Sequence, residues 1–384
     1  MADLKEYFPM IRERKEVMEE IGKKDSLRVM FASWTEEQQE EFLDWCTGVR
    51  GIRMLYDGFF KEIMNPESTP ERLDELLSLL LGFPVRIRMV LPNDSTRLAD
   101  ECSLLVTDLV VELKDGSLAN VEVQKIGYMF PGQRSACYSS DMLLRQYKRV
   151  RSKRRKKFSY RDVKPVYTIV LFETSTKEFH EFPHVYVHRF GQRSDTGLKA
   201  ELLQKYIFIP IDIFKKTQQN KDVTGKLDAW LLFLSTDEPE EIIKLIKAYP
   251  EFKPMYQQAY EICRNMEVVM GFFSEELREM DRNTVQLMID EMQEELDRKR
   301  GELEKTSEEL ARNKGELAQS KEELVQSKEE LVQSKEELAQ SKEELIQSKE
   351  ELIQSKEELT QSKEELKQAL LRIAQLEKEQ RQRV

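Results

Sequence analysis

The order of apolar and polar positions divides this chain into two stretches of different period. Between about residues 50 and 235, short apolar runs alternate with amphipathic segments. Ser103-Leu-Leu-Val-Thr-Asp-Leu-Val-Val-Glu-Leu113 and Leu118-Ala-Asn-Val-Glu-Val-Gln-Lys125 read as the two strands of a hairpin. In the second strand, alternation sends Val121 and Val123 to one face and Asn120, Glu122 and Gln124 to the other. Residues 165–172 and 206–213 read as buried strands, the latter interrupted by Pro210, which predicts an edge or a bulge. Helices are expected over 132–150, 226–234, 239–248 and 254–271. The first forty or so residues are charged and helix-prone, with Thr35 and Gln38 spaced for a capping box.

After about Thr284 the period becomes seven. Glycine and proline nearly vanish, and Gln-Ser-Lys-Glu-Glu-Leu-x repeats seven times from Gln319 to Lys367. Leucine recurs every seventh residue from Leu303 to Leu366, which implies a left-handed coiled coil. The complementary core position falls on Ser or Lys, so each heptad supplies one apolar layer instead of two. Better packing comes only near Leu366, Leu370, Ile373 and Leu376. The expectation is a homo-oligomer, a parallel dimer, held through this coil. The organisation predicted is a charged helical arm over 1–45, a core over 46–235, a helical extension over 236–283 and the coil over 284–384.

The hairpin carries the chemistry. Lys114-Asp115-Gly116 suits a three-residue loop with Gly116 in the left-handed position of a bulge, which sets Asp108 opposite Glu122 and Val106 opposite Gln124. A two-residue Asp-Gly turn would shift the pairing by one and mix charged with apolar residues on both faces. Two carboxylates one strand spacing apart repel each other unless a cation lies between them. Oxygen ligands suit Mg²⁺ or Mn²⁺, and such sites commonly take a substrate phosphate, so the implied substrate is a phosphodiester. The alternative is a solvated face of ordinary surface carboxylates.

The segment Asp57-Gly-Phe-Phe-Lys-Glu-Ile-Met64, the run Glu71–Leu81, the Asp108…Glu122-Val-Gln124 hairpin, and the helix with Arg134 and Tyr138 leading to Pro165–Phe172 resemble the PD-(D/E)XK nuclease family transposases, relatives of the recombination-promoting nucleases. The resemblance covers roughly residues 50 to 235. It implies an α/β fold with a restriction-endonuclease-like core, a mixed sheet flanked by helices, here followed by a long C-terminal α-helical coiled coil. It also implies metal-dependent DNA cleavage. By position Asp108 and Glu122 match the metal-binding carboxylates, and Gln124 falls where the wider superfamily has Lys. A Gln amide orients a water or a phosphate oxygen but supplies no positive charge. Asp57 and Lys61 gain interest from the family match, although a helix-surface ion pair explains them equally, and Glu62 competes with Asp57 as the first-helix acid. Arg134 and Tyr138 are candidates for contacting the scissile phosphate; an ordinary amphipathic helix covering the sheet explains them as well.

A basic run follows that helix, Lys148-Arg-Val-Arg-Ser-Lys-Arg-Arg-Lys-Lys157. Arg151, Lys153, Arg154, Arg155, Lys156 and Lys157 are the candidates for tracking a DNA backbone without reading sequence; a solvated loop or a partner for the acidic coil is the alternative. The chain has 384 residues, 35% of them charged, and a net charge of -11, but each coil heptad carries one Lys against two Glu. Much of the acidity therefore belongs to the coil, and it does not argue against DNA as a partner. No apolar run approaches a membrane span and the charged N-terminus lacks a secretory segment, so a cytoplasmic location is expected. Cys46, Cys102, Cys137 and Cys263 are scattered and read as free thiols. His180, His184 and His188 invite a zinc reading that Pro183 and the lack of a fourth ligand disfavour. Three functions fit: a Mg²⁺-dependent endonuclease, a DNA-binding or regulatory protein on a nuclease scaffold that no longer cuts, and a coiled-coil interaction protein.

Overall fold

The computed structural model describes residues 3–91, 109–126, 131–219 and 221–381. In chain order come α1 (Arg14–Lys23), α2 (Asp25–Ala32), α3 (Glu36–Thr47), α4 (Asp57–Ile63), α5 (Pro70–Leu81), β1 (Ile87–Val90), β2 (Leu109–Leu113), β3 (Leu118–Gln124), α6 (Pro131–Arg154), β4 (Val166–Phe172), α7 (Lys177–His180), β5 (His188–Phe190), β6 (Gln204–Pro210), α8 (Ile211–Gln218), α9 (Lys226–Ser235), α10 (Pro239–Ala248), α11 (Lys253–Ile262) and α12 (Met266–Arg381). The six strands form one mixed sheet in the order β1-β2-β3-β4-β6-β5. β3, β4 and β6 are parallel neighbours, and the outer pairings are antiparallel. This is the mixed sheet flanked by helices that the resemblance implies.

The centre of the sheet is where the apolar runs are longest. Every residue of β4, Val-Tyr-Thr-Ile-Val-Leu-Phe, is buried, as a strand covered on both faces must be. On one face, Leu109, Val111, Val121, Ile169, Leu171, Ile207 and Ile209 join the main core with α9, α11 and the start of α12. On the other, α6 is the crossover between the parallel strands β3 and β4, and its Met142 packs on Val110, Leu118 and Val166.

The β2–β3 hairpin has the register that the three-residue loop predicts. Leu109 pairs with Val121, Val110 with Asn120 and Val111 with Ala119. Gly116 sits at φ +87°, and its N–H donates to Leu113 O at 2.9 Å. Asp108 and Val106, the other half of the predicted pairing, lie outside the described residues.

Other expectations need correction. Pro210 marks neither an edge nor a bulge: β6 lies between β4 and β5, and Pro210 is its last residue, immediately before α8. A missing N–H costs least at such a boundary. The helix expected over 254–271 is two helices, because Asn265 starts α12 afresh, its side chain accepting from Val268 N at 3.4 Å. The basic run is less a loop than the last turns of α6 plus a 3-10 turn at Arg155–Lys157, cations at a helix C-terminus being favoured by its dipole. β1 was not anticipated at all.

The N-terminal residues carry Leu4, Phe8, Val17, Ile21, Leu27, Phe31 and Trp34 into the main core, and Thr35 and Gln38 form the reciprocal capping box. The chain divides into two units, Met1–Glu294 and Glu295–Val384. α12 contributes to both. Its first turns bury Met266, Val269, Met270 and Phe273 in the first unit. The described residues of the second unit are helix throughout, with the recurring leucines from Leu303 to Leu366 exposed. At about 1.5 Å per residue, the part of α12 within the second unit is about 130 Å long.

Candidate active site

The polar stripe of β3 is not a solvated face. Asn120, Glu122 and Gln124 are 0%, 5% and 3% exposed, because α6 lies over them. Gln146 near the C-terminal end of α6 bonds Gly116 O at 3.1 Å and accepts from Lys164 N at 2.7 Å, which fixes the helix antiparallel to β3. Its earlier turns therefore meet the far end of the strand, and Ser135, Tyr138 and Ser139 are buried there.

Gln124 Nε2 donates to Glu122 Oε1 at 2.8 Å. Among the described residues, Glu122 Oε2 and Gln124 Oε1 have no hydrogen-bond partner, nor do Asn120 Oδ1 and Nδ2, Thr168 Oγ1, Ser135 Oγ and Ser139 Oγ. Asn120 is level with Thr168 in the β3–β4 pairing, so these atoms gather on one face of the sheet. Buried oxygens are rarely left unsatisfied, and a group of them marks a place where water, a cation or a ligand completes the site.

Burial pushes the Glu122 carboxyl up to about 7; the Gln124 amide and the Arg134 guanidinium pull it down, and Glu279 of α12 pushes it up further. Arg134 Nη2 donates to the Tyr138 hydroxyl at 3.0 Å, with the guanidinium 5.8 Å from the ring centre. The spacing of four on α6 thus brings the two predicted residues together, and Arg134 within electrostatic reach of Glu122.

The donor set at this end of β3 fits a hard divalent cation. Its two orphaned atoms are a carboxylate and an amide oxygen, the ligand types that hard cations take. Asp108 lies outside the described residues, and among the described ones no three acidic, His or Cys side chains converge as a metal site.

The opposite side of the strand end holds a cluster that sequence reasoning missed. Lys125, 7% exposed, reaches Glu276 Oε1 of α12 at 2.9 Å, Glu173 Oε2 at 3.4 Å and Leu55 O at 2.6 Å, and stands 4.7 Å from the centre of the Tyr56 ring. Its charge is committed there, away from Gln124. Glu276 also accepts from Asp57 N at 3.2 Å, joining α12 to the start of α4. Burial raises the Glu276 carboxyl, Lys125 opposing; burial and then Asp57 raise that of Glu279.

Asp57 and Lys61 form the expected i,i+4 ion pair at 2.8 Å. Asp57 Oδ1 is buried without a hydrogen-bond partner, whereas Glu62 is exposed. The only legible signal for the α6 polar residues was the spacing Ser135, Tyr138, Ser139, Met142, Gln146, a helical stripe facing a strand. Nothing local marked Lys125, whose partners lie far away in sequence.

Arg151, Lys153 and Arg154 close α6, and Arg155, Lys156 and Lys157 form the turn after it; all six are exposed. Arg155 takes φ +48°. Arg151 donates to the Tyr147 hydroxyl, and Arg154 is 3.7 Å from Asp162. Two of the three histidines have other partners: His180 Nε2 lies 3.1 Å from Asp212, and His188 Nε2 3.1 Å from Val185 O. Cys46 and Cys263 are buried free thiols, and Cys137 is an exposed one. Among the described residues no helix is long and apolar enough to cross a membrane.

Comparison with curated proteins and with solved structures gives no match. The sequence profile of the PD-(D/E)XK nuclease family transposases does match, from residue 55 to 295, which takes in α4, the whole sheet, α6 and the first turns of α12. With more than half of its length accounted for in this way, and with the mixed sheet and helices expected of such a core, the chain belongs to the PD-(D/E)XK nuclease family transposases.

Proposed function

We propose that the protein is a divalent-metal-dependent DNA endonuclease of the transposase or recombination-promoting type, hydrolysing phosphodiester bonds in the cytoplasm. The observation that carries this reading is the buried Glu122–Gln124 pair, with an oxygen of each left unsatisfied at the end of β3. Asp108 and Glu122 would hold Mg²⁺ or Mn²⁺, and the cation would supply charge stabilisation to the phosphate under attack. Gln124 holds Glu122 through its amide N–H and offers its own oxygen to a water. Arg134, with Tyr138 bonded to it, is the positive group on the same face, suited to a phosphate oxygen. Asp57 is favoured over Glu62 as the accessory acid because its Oδ1 is buried and unsatisfied. The exposed cations from Arg151 to Lys157 track the DNA backbone, and the coil pairs two chains.

One observation favours a second reading, a DNA-binding scaffold that does not cut. The lysine nearest Gln124 is Lys125, and its charge is neutralised by Glu276 and Glu173 on the other side of the strand end. Cleavage of supercoiled plasmid with Mg²⁺, Mn²⁺ or EDTA, beside an Asp108→Ala variant, separates the two. Metal-dependent nicking that disappears in the variant supports the nuclease. Retained DNA binding without nicking supports the scaffold.

A further inference from the structure

The charges of the second unit are arranged for a partner. Earlier in α12, Glu295 with Lys299, Arg298 with Glu302, and Arg312 with Glu316 form i,i+4 ion pairs within the helix. In the repeat that follows, Lys precedes Glu by one and two residues, and the next Lys comes five and six residues after those glutamates. Apart from Glu364 and Lys367 at its very end, no opposite charges in the repeat stand three or four apart, so it cannot neutralise itself along its own helix.

With the leucines at heptad position a, the repeat's serines fall at d, its lysines at e and the glutamate before each leucine at g. In a parallel pair, each g residue meets the partner's e residue five positions on, as Glu323 meets Lys328 and Glu358 meets Lys363. All six such spacings inside the repeat join Glu to Lys. An antiparallel pair would instead set g against g and e against e, Glu on Glu and Lys on Lys. The leucine stripe is more than half exposed along the single helix, Leu324 at 57% and Leu345 at 56%, and offers the apolar seam between those ionic flanks.

We propose that residues from Glu295 onward pair with a second copy of this chain, parallel and in register. This rests on the parallel dimer reading above and adds its alignment and the charges that hold its direction. Identical heptads would tolerate a slip of seven residues, so the register is set where the repeat breaks. At its end, Ala369 and Leu376 replace serine at d beside Leu366 and Ile373 at a, which gives successive apolar layers. Before it, Asn313 occupies d and finds an amide partner only in the other Asn313. A slipped pair sets Leu376 outside its layer and buries each Asn313 against Thr306 or Ser320. Both chains of the aligned pair enter the coil at the same end, so two catalytic units can act on one duplex. DNA is a poor occupant of this face, since each heptad carries two Glu against one Lys.

The test uses the full chain. Sedimentation equilibrium gives its mass, and Ser320→Cys, Ser327→Cys and Ser362→Cys variants, singly and in tagged mixtures, are oxidised beside the parent to subtract its own thiols. The expected result is twice the chain mass, with each variant cross-linking to itself at least tenfold more than any mixed pair. Dominant cross-links between positions 320 and 362 would overturn the direction. Mixed 320–327 cross-links equal to the self cross-links would overturn the register. A single-chain mass would overturn the pairing itself, while plasmid nicking reports on the nuclease reading independently.

Discussion

Glu122 is the residue on which the buried site can be weighed by stability alone. Its folded-state carboxyl holds its proton up to about pH 7 against an ordinary value of 4.5, chiefly through burial. A raised carboxyl favours the folded state while it stays protonated and loses that advantage as pH climbs through the window from 4.5 to 7. A difference of about 2.5 pH units corresponds to about 3 kcal/mol, of which about 2.5 kcal/mol falls between pH 5 and pH 8. Glu122→Gln keeps the shape, leaves Gln124 an oxygen to bond, and removes the titration. Urea unfolding in EDTA, followed through the buried Trp34, Trp45 and Trp230, measures both proteins at the two pH values. The wild type should lose about 2.5 kcal/mol more than Glu122→Gln on going from pH 5 to pH 8. Because a cation takes the ionised carboxylate, Mg²⁺ should return stability to the wild type at pH 8 and little at pH 5. Parallel pH profiles for the two proteins in EDTA would refute the assignment of a buried, proton-holding carboxyl.

Two other perturbations test the surroundings of the site. Lys125→Met leaves Glu276 buried beside an apolar chain and should cost about 3–5 kcal/mol in urea unfolding; adding Glu276→Leu should restore much of the loss, the signature of a pair instead of a single contact. Gly116→Ala should lower stability by about 1–2 kcal/mol through its left-handed backbone, since the added Cβ would meet only Lys164 Cγ at an ordinary 3.4 Å, and Gly116→Asn should lose less.

The sequence made one kind of relation legible and concealed another. The faces of β3 and the hairpin register could be read because loop chemistry and polarity agree: a glycine suited to φ > 0 and an alternation that only one pairing keeps unmixed. The long apolar runs marked β4 and β6, and Pro239 marked the start of α10. Alternation tells which residues share a face, however, and not what covers it. That is why Asn120, Glu122 and Gln124 could be read as a solvated stripe until α6 was seen lying over them. The break between α11 and α12 was hidden by apolar periodicity that continues across it, and a single capping Asn decides it. Strand β1, Ile-Arg-Met-Val, has too little alternation to announce itself and pairs only through its neighbour β2. Lys125 looks like the tail of a polar strand until the turn before α4 and the first turns of α12, at the two ends of the matched region, supply its partners.

The heptads of α12 also make the coil a ruler whose length is open to heritable change. One repeat unit corresponds to twenty-one nucleotides, and near-identical units in tandem invite the copying machinery to gain or drop a unit. Each such event adds or removes about 10 Å of helix and returns the leucine stripe to the same side, with the reading frame kept. Copy number can thus drift among descendants of one gene without touching the β3 site, and only the reach of the coil is altered.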